Sequence, residues 1–270
     1  EILSGVRHGE TLGSPVSFMI PNRDFDSWKT VMSVERATEG SDARVVTRPR
    51  PGHADLAGAL KYQTHDIRDV LERASARETA ARVAAGAFCR LFLARFGIRI
   101  GSHILAIGEE RISPGLDAPD SEAIFAMGDS PMPCVDPEAA KRMTAAIDRA
   151  SNLGDTLGGA GEVVAACVPP GLGSYVQWDR RLDGRIAQAL LSIPSAKAVE
   201  IGEGIAGSQK PGSAVHDEIF YNPETRRFLR RTNRAGGLEG GVSNGSDIRA
   251  RVFFKPIPTL RRPLGSVDVV

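Results

Sequence analysis

The chain has 270 residues, 41% hydrophobic and 25% charged, with a formal net charge of +1; this is the composition of an ordinary globular protein with room for a sizeable core. A balance so near neutrality gives no electrostatic case for nucleic acid or an anionic membrane as partner, and no apolar run approaches the roughly 20 residues that span a bilayer. Glu1-Ile2-Leu3-Ser4 lacks the basic start and apolar stretch of a signal peptide, and Cys89, Cys134 and Cys167 stand far apart with none at C-x-x-C spacing, the pattern of reduced cysteines in a cytoplasmic protein without a metal site.

Glu1-Ile2-Leu3 reads as the middle of a strand, and Ser266 to Val270 ends on an apolar run without a cap. Natural termini are usually polar and loose, so the sequence is expected to be one domain, residues 1–270, truncated at both ends. Residues 15–20 read as a strand closed by Pro21-Asn22. In Arg48-Pro49-Arg50-Pro51-Gly52-His53-Ala54-Asp55, two prolines forbid a helix and Gly52 allows a sharp turn. Ser75-Ala76-Arg77-Glu78 fits a capping box. The helix it opens is expected over 76–96, with Val83, Phe88, Leu91, Phe92 and Phe96 on an apolar face and Gly97 as its stop.

A strand follows at 98–107. Asp136-Pro137 sets an N-cap with proline at N1, so 137–151 is expected to be helical, ending near Gly154. Residues 161–168 read as a strand, 182–192 as a helix and 199–201 as a short strand. Residues 218–221 and 226–231 pair as a hairpin across Asn222-Pro223-Glu224-Thr225. Residues 236–245 form a glycine-rich loop, and a strand at 247–254 delivers Lys255-Pro256-Ile257-Pro258-Thr259. Helices and strands mix without a strict βαβ rhythm, so the fold class expected is α+β.

Four features could carry chemistry. A rigid turn presenting Arg50 and His53 is a poor packing element and a good place for function; a histidine meeting only a local hydrogen bond is the equal alternative. Arg73 and Arg77 flank the start of the helix, where unpaired N–H groups and positive partial charge favour a phosphate or carboxylate; solvated arginines on an ordinary capped helix are the alternative. Asn233-Arg234-Ala235-Gly236-Gly237-Leu238-Glu239-Gly240-Gly241 is not a P-loop, and fits either a backbone wrapped around a flat ligand or a simple hinge. His216-Asp217-Glu218 reads as a surface turn or strand start. His8, His65 and His103 stand alone, and Arg226-Arg227 and Arg230-Arg231 read as solvated strand faces.

Together these segments resemble the chorismate synthase family. The resemblance rests on residues 48–55, Glu72-Arg-Ala-Ser-Ala-Arg-Glu-Thr79, Gly154-Asp-Thr-Leu-Gly-Gly159, Val199-Glu-Ile-Gly202, His216-Asp-Glu218, Asn233 to Gly241 and Lys255-Pro-Ile-Pro-Thr259, in the family's order across most of the chain. It implies antiparallel sheets sandwiching helices, and a homotetramer. It also implies a lyase of the shikimate pathway, in aromatic amino-acid biosynthesis, which makes chorismate from 5-enolpyruvylshikimate 3-phosphate by trans-1,4 elimination of phosphate. Reduced FMN is required without net redox change, with NADPH a candidate reductant. Residue by residue, His53 matches the catalytic histidine beside the flavin, and Arg50 and Arg77 match arginines that hold the anionic substrate. Arg73, Ala74 and Ser75, the pair Pro194-Ser195, Gly240, and Lys255, Pro256, Ile257, Pro258 and Thr259 match flavin-binding positions.

The sequence departs from the family in places. Pro194-Ser195 stands where Gln-Ala or Asn-Ala is usual, and Ala206 to Ser213 lacks the arginines common there. The N-terminal Gly-Glu-Ser-His-Gly and C-terminal Arg-Ser-Asp motifs have no counterpart in residues 1–270, so these residues alone are expected to bind FMN weakly or not at all and to form no chorismate. An FMN-dependent oxidoreductase using the same cradle, and a non-catalytic flavin- or anion-binding fragment, are the rival readings.

Overall fold

The computed structural model describes residues 1–35, 44–74, 76–116, 118–128 and 130–269. They group into two compact units, Glu1–Ala85 with Gly265–Val270, and Gly86–Leu264.

The first unit holds two small antiparallel ribbons, Ile2–Ser4 with Ser17–Phe18 and Val6–Arg7 with Glu10–Thr11. The strand expected over 15–20 is paired only at 17–18, where Ser4 and Ser17 hydroxyls also meet at 2.7 Å. Helices Asp55–Tyr62 and Arg68–Leu71 bury Ala59, Ile67 and Val70. Gly58 permits their approach, because a Cβ there would lie 2.6 Å from Val70 Cγ1. Ile67 N–H donates to Val46 O at 2.8 Å and Asp66 Oδ1 accepts from Val46 N–H at 3.0 Å, which anchors the chain entering residues 48–55. The far end of the chain holds the same loop: Val269 N–H donates to Thr47 O at 3.1 Å and Ser266 Oγ donates to Pro49 O.

Helix Ala76–Ala94 matches the expected element; Ser75, the expected cap, lies outside the described residues. Gly97, at φ +76°, lets the chain turn back so that Ile98 N–H reaches Leu93 O at 3.2 Å. The expected apolar face is a correction. Val83, Phe88, Leu91, Phe92 and Phe96 are exposed; the flank that packs carries Leu93, which lies against Ile98, Val168, Leu238 and Ile248.

The second unit is built on a five-stranded antiparallel sheet in the order Glu110–Arg111, Arg99–Ile107, Gly159–Ala166, Ile248–Phe254, Ala196–Ile201. The α+β class with antiparallel sheets is as expected. Alternation along the strands divides the faces. Ile104 and Ile107 point to helix Pro137–Leu153, meeting Cys134, Ala139 and Met143. Ile100, Ala165, Ile201 and Ile248 pack with Leu182 and Ile186 of helix Leu182–Leu191. The opposite face carries His103, Glu162, Arg249 and Arg251, with helix Ser121–Ala126 beside it. There Gly101 makes room for Phe125, whose ring a Cβ would meet at 2.8 Å.

Local chemistry explains the boundaries. The Asp136 side chain accepts from Glu138 and Ala139 N–H at 3.1 and 3.0 Å, Pro137 sits at the first helical position, and Gly154 at φ +75° ends the helix. The hairpin is as expected, with Arg227 opposite Asn222 and Arg230 opposite Ile219. Asn222 Oδ1 closes its turn by accepting from Glu224 and Thr225 N–H.

Candidate functional site

The loop 48–55 builds a compact polar cluster. Pro51 and Gly52 occupy the centre of a turn closed by His53 N–H on Arg50 O at 3.2 Å, with Gly52 at φ +79°, the pattern of a type II turn. The turn folds His53 back over Arg50, and the short helix beginning at Asp55 brings a carboxylate under both. Asp55 Oδ2 accepts from the Arg50 backbone N–H at 2.9 Å and from Arg50 Nε at 3.0 Å, and Oδ1 pairs with His53 Nδ1. Arg50 Nη2 lies 3.2 and 3.3 Å from the two nitrogens of the His53 ring. Asp55 is 1% exposed, against 13% for the His53 and 33% for the Arg50 side chain, so the carboxylate is the buried base of the cluster and the other two face outward. Burial pushes the Asp55 carboxyl up. Hydrogen bonds from the Arg50 side chain and backbone and from His53 outweigh that push and hold it below the usual carboxylate range. In the sequence Asp55 is one residue of the 48–55 motif, and the signal that singles it out is a carboxylate two residues after a turn histidine.

The other first-unit candidates lie at the start of helix Ala76–Ala94. Arg73 is exposed and Ala74 half-buried; Ser75 lies outside the described residues. Arg73 and Ala74 N–H both turn back to Val70 O, at 3.3 and 2.9 Å, which fixes the segment's backbone. Arg77 is paired with Glu72 through Nη1 and Oε2, with its side chain half exposed.

In the second unit two of the expected flavin segments meet. Lys255 N–H donates to Ser195 O at 3.0 Å, and Ser195 takes a left-handed φ of +72° after the exposed Pro194. Thr156 Oγ1 donates to Ile257 O at 2.7 Å, and a Cβ on Gly158 would meet Pro256 Cδ at 3.1 Å, so residues 154–159 brace 255–259. Ile257 and Leu157 border an apolar cavity of about 510 Å³ with Ile104, Ile107, Ile147 and Phe254, within the ordinary range of ligand pockets. Pro258 is half-buried and Thr259 exposed.

Gly240 is elsewhere in this unit. The glycine-rich stretch contains a hairpin, Leu238–Glu239 with Val242–Ser243. Gly240 and Gly241 form its two-residue turn at φ +60° and +89°, the conformation for which such turns select glycine. Gly236 and Gly237 instead allow backbones to touch: a Cβ on Gly237 would sit 2.5 Å from Asp247 O.

Three polar clusters carry no signal of their own in the sequence. Asp217, in the expected surface turn, organises the entry to this stretch by accepting from Thr232 Oγ1 at 2.5 Å and from Arg234 and Ala235 N–H at 2.9 Å each. Burial raises the Asp217 carboxyl and these bonds more than offset it, leaving it lowered. Arg230 corrects the solvated-face reading: its side chain is 12% exposed and makes a two-pronged pair with Glu239 at 2.9 and 2.7 Å. His103, read as standing alone, is fully buried with Nε2 3.4 Å from Glu162 Oε2. No group of three or more metal-ligating side chains occurs among the described residues, and no helix there is long and apolar enough to cross a membrane.

A family model described as chorismate synthase matches residues 1–270. The chain is 56% identical to the chorismate synthase of Symbiobacterium thermophilum over 276 residues, covering all of this chain and 70% of that protein. It is 54% identical to that of Moorella thermoacetica over 270 residues, covering 69% of it. A crystal structure of chorismate synthase superposes with a TM-score of 0.80 at 44% identity, over 96% of this chain and 71% of the other. The chain belongs to the chorismate synthase family, lyases that convert 5-enolpyruvylshikimate 3-phosphate to chorismate and phosphate.

Proposed function

We propose that this protein performs the family's elimination with reduced FMN, using His53 as the residue that holds and moves a proton and Arg50 and Arg77 to bind the anionic substrate. The observation that carries the reading is the Arg50–His53–Asp55 cluster: an imidazole and a guanidinium fixed on one rigid turn over a buried carboxylate. The reaction breaks a C–O bond to phosphate and removes a ring proton, so it needs cations for the departing phosphate and the carboxylates, and a group that exchanges protons near neutrality. Guanidinium forks suit the first task and imidazole the second.

Each unit carries segments proposed to contact FMN: Arg73, Ala74 and Ser75 in one, and Pro194, Ser195, Gly240 and Lys255 to Thr259 in the other. By residue type, the arginine and the lysine suit a phosphate, and the small residues suit close approach to a flat ring. The Lys255–Ser195 backbone bond supports a common role for the last two segments. When bound, reduced FMN supplies the electron density that helps the phosphate leave. NADPH is the proposed source of its electrons. A homotetramer is part of the reading, supported by the exposed apolar side chains Ile219 and Phe228 of the hairpin. So is a cytoplasmic location, supported by three free cysteines.

The test is an anaerobic assay of the purified protein with 5-enolpyruvylshikimate 3-phosphate. Chorismate should form with reduced FMN and not with oxidised FMN alone. Chorismate formed at the same rate without a reductant would remove the cofactor from the account.

A further inference from the structure

We propose that Asp55 is a positioning residue for the reaction: it fixes the tautomer and orientation of His53 and, through its second oxygen, the guanidinium of Arg50. The inference rests on His53 being the proton-handling group.

A carboxylate 1% exposed is costly unless its lone pairs are used, and here both oxygens are used by the two candidate residues. Oδ2 takes the Arg50 backbone N–H and Nε, while Oδ1 takes His53 Nδ1 and, at 3.4 Å, Arg50 Nη2. Those bonds keep Asp55 ionised, and an ionised carboxylate only accepts. The hydrogen between Oδ1 and the ring therefore belongs to Nδ1. In the neutral imidazole this leaves Nε2 as the atom that takes up and returns a proton. The ring also lies beside Arg50 Nη2, 3.2 and 3.3 Å from its two nitrogens. The local fold is built to deliver it: the Pro51-Gly52 turn reverses the chain, and Asp55 opens a helix, where a negative charge is favourable.

The experiment compares wild type, D55N, H53A and D55N/H53A, with thermal melts for each. Nitrogen-15 spectra of histidine-labelled, flavin-free protein read the ring directly. Wild-type His53 should show the hydrogen on Nδ1, and D55N, whose amide can donate to that nitrogen, should move it towards Nε2. In the kinetic arm D55N should lower kcat by about 10- to 100-fold, the scale of groups that orient a functional imidazole, and, because the Asn side-chain oxygen can still accept from Arg50, should change kcat less than about twofold when added to H53A. A wild-type ring carrying its hydrogen on Nε2 would overturn the proposal, and that result needs no folded variant. So would a folded D55N with unchanged kcat, or one losing the same factor with and without His53. If H53A itself keeps its turnover, the reading of His53 fails, while the spectra still decide whether Asp55 sets its tautomer.

Discussion

Arg249 Nη1 lies 2.8 Å from Glu162 Oε2 on one face of the antiparallel sheet, and Arg251, two residues along the same strand, reaches Oε1 at 3.1 Å. Glu162 is 1% exposed and His103 beside it is fully buried. The carboxylate is shared among three side chains that have little other access to water. Burial pushes the Glu162 carboxyl up, and the bonds and charges of His103, Arg249 and Arg251 bring it below its ordinary value.

Removing Glu162 takes the shared carboxylate from two largely buried arginines and from His103. Glu162→Ala is expected to destabilise the fold by about 3–5 kcal/mol, as for other broken buried pairs, measured by urea denaturation. Because the folded carboxyl is lowered, its contribution is present above the unfolded value of about 4.3 and is lost as the pH falls. An Ala variant as stable as wild type at pH 7 would show that the network is neutral.

Asp136 gives a second, separable acid transition. Its carboxyl is lowered to about 2, first by the Ser113 hydroxyl and then by backbone N–H groups of Ala139, Ser113 and Glu138. Its contribution is complete above the unfolded value near 3.9 and disappears as the pH falls towards about 2. Asp136→Ala should lower the melting temperature by several degrees at pH 7 and by much less near pH 2, read by calorimetry. An equal loss at both pH values would assign the effect to packing instead of to the cap.

Two neighbouring glycines should respond differently. Gly237→Ala places a Cβ against Asp247 O at φ +76°, while Gly240→Asn changes an exposed turn residue at φ +60° whose Cβ would lie an unstrained 4.0 Å from Tyr175 Cβ. Gly237→Ala is expected to lower the melting temperature markedly. Gly240→Asn should leave it within a degree or two, since asparagine tolerates the left-handed region. Any loss of FMN affinity in Gly240→Asn, followed by flavin fluorescence, then reports on the ligand alone.

Arg77 pairs with Glu72 and keeps half its surface in water. If it binds the substrate anion, Arg77→Ala should raise KM for 5-enolpyruvylshikimate 3-phosphate by roughly 10- to 100-fold, the equivalent of one charged hydrogen bond of about 1.5–3 kcal/mol, in steady-state assays. A KM within twofold of wild type would return Arg77 to a surface ion pair.

Local punctuation made much of this legible in the sequence. Asp136-Pro137 and Gly154 bracket their helix because capping and left-handed exit are decided by a few adjacent residues. Asn222 sets the hairpin for the same reason. What escaped depended on distant partners. His103 looked solitary because Glu162 and Arg249 reach the same place only when three strands pair; a lone glutamate within Gly159-Ala-Gly-Glu-Val-Val-Ala-Ala166 was the available clue. Arg230 looked solvated because Glu239 joins it from another hairpin. Helix Asp55–Tyr62 was missed because it starts directly after a proline-rich turn and is only two turns long. At the candidate site Arg50 and His53 stand out by residue type, while Asp55 carries only its spacing of two residues after the turn histidine, and its burial makes it conspicuous.

The central claim is that flavin assists an elimination without being consumed. Its most direct test is anaerobic stoichiometry: a fixed, limiting amount of reduced FMN, excess 5-enolpyruvylshikimate 3-phosphate, and simultaneous readings of chorismate, phosphate and flavin absorbance. The account predicts equal chorismate and phosphate, many turnovers per flavin, and a flavin still reduced at the end. One flavin oxidised for each product formed would contradict it and make the protein an oxidoreductase.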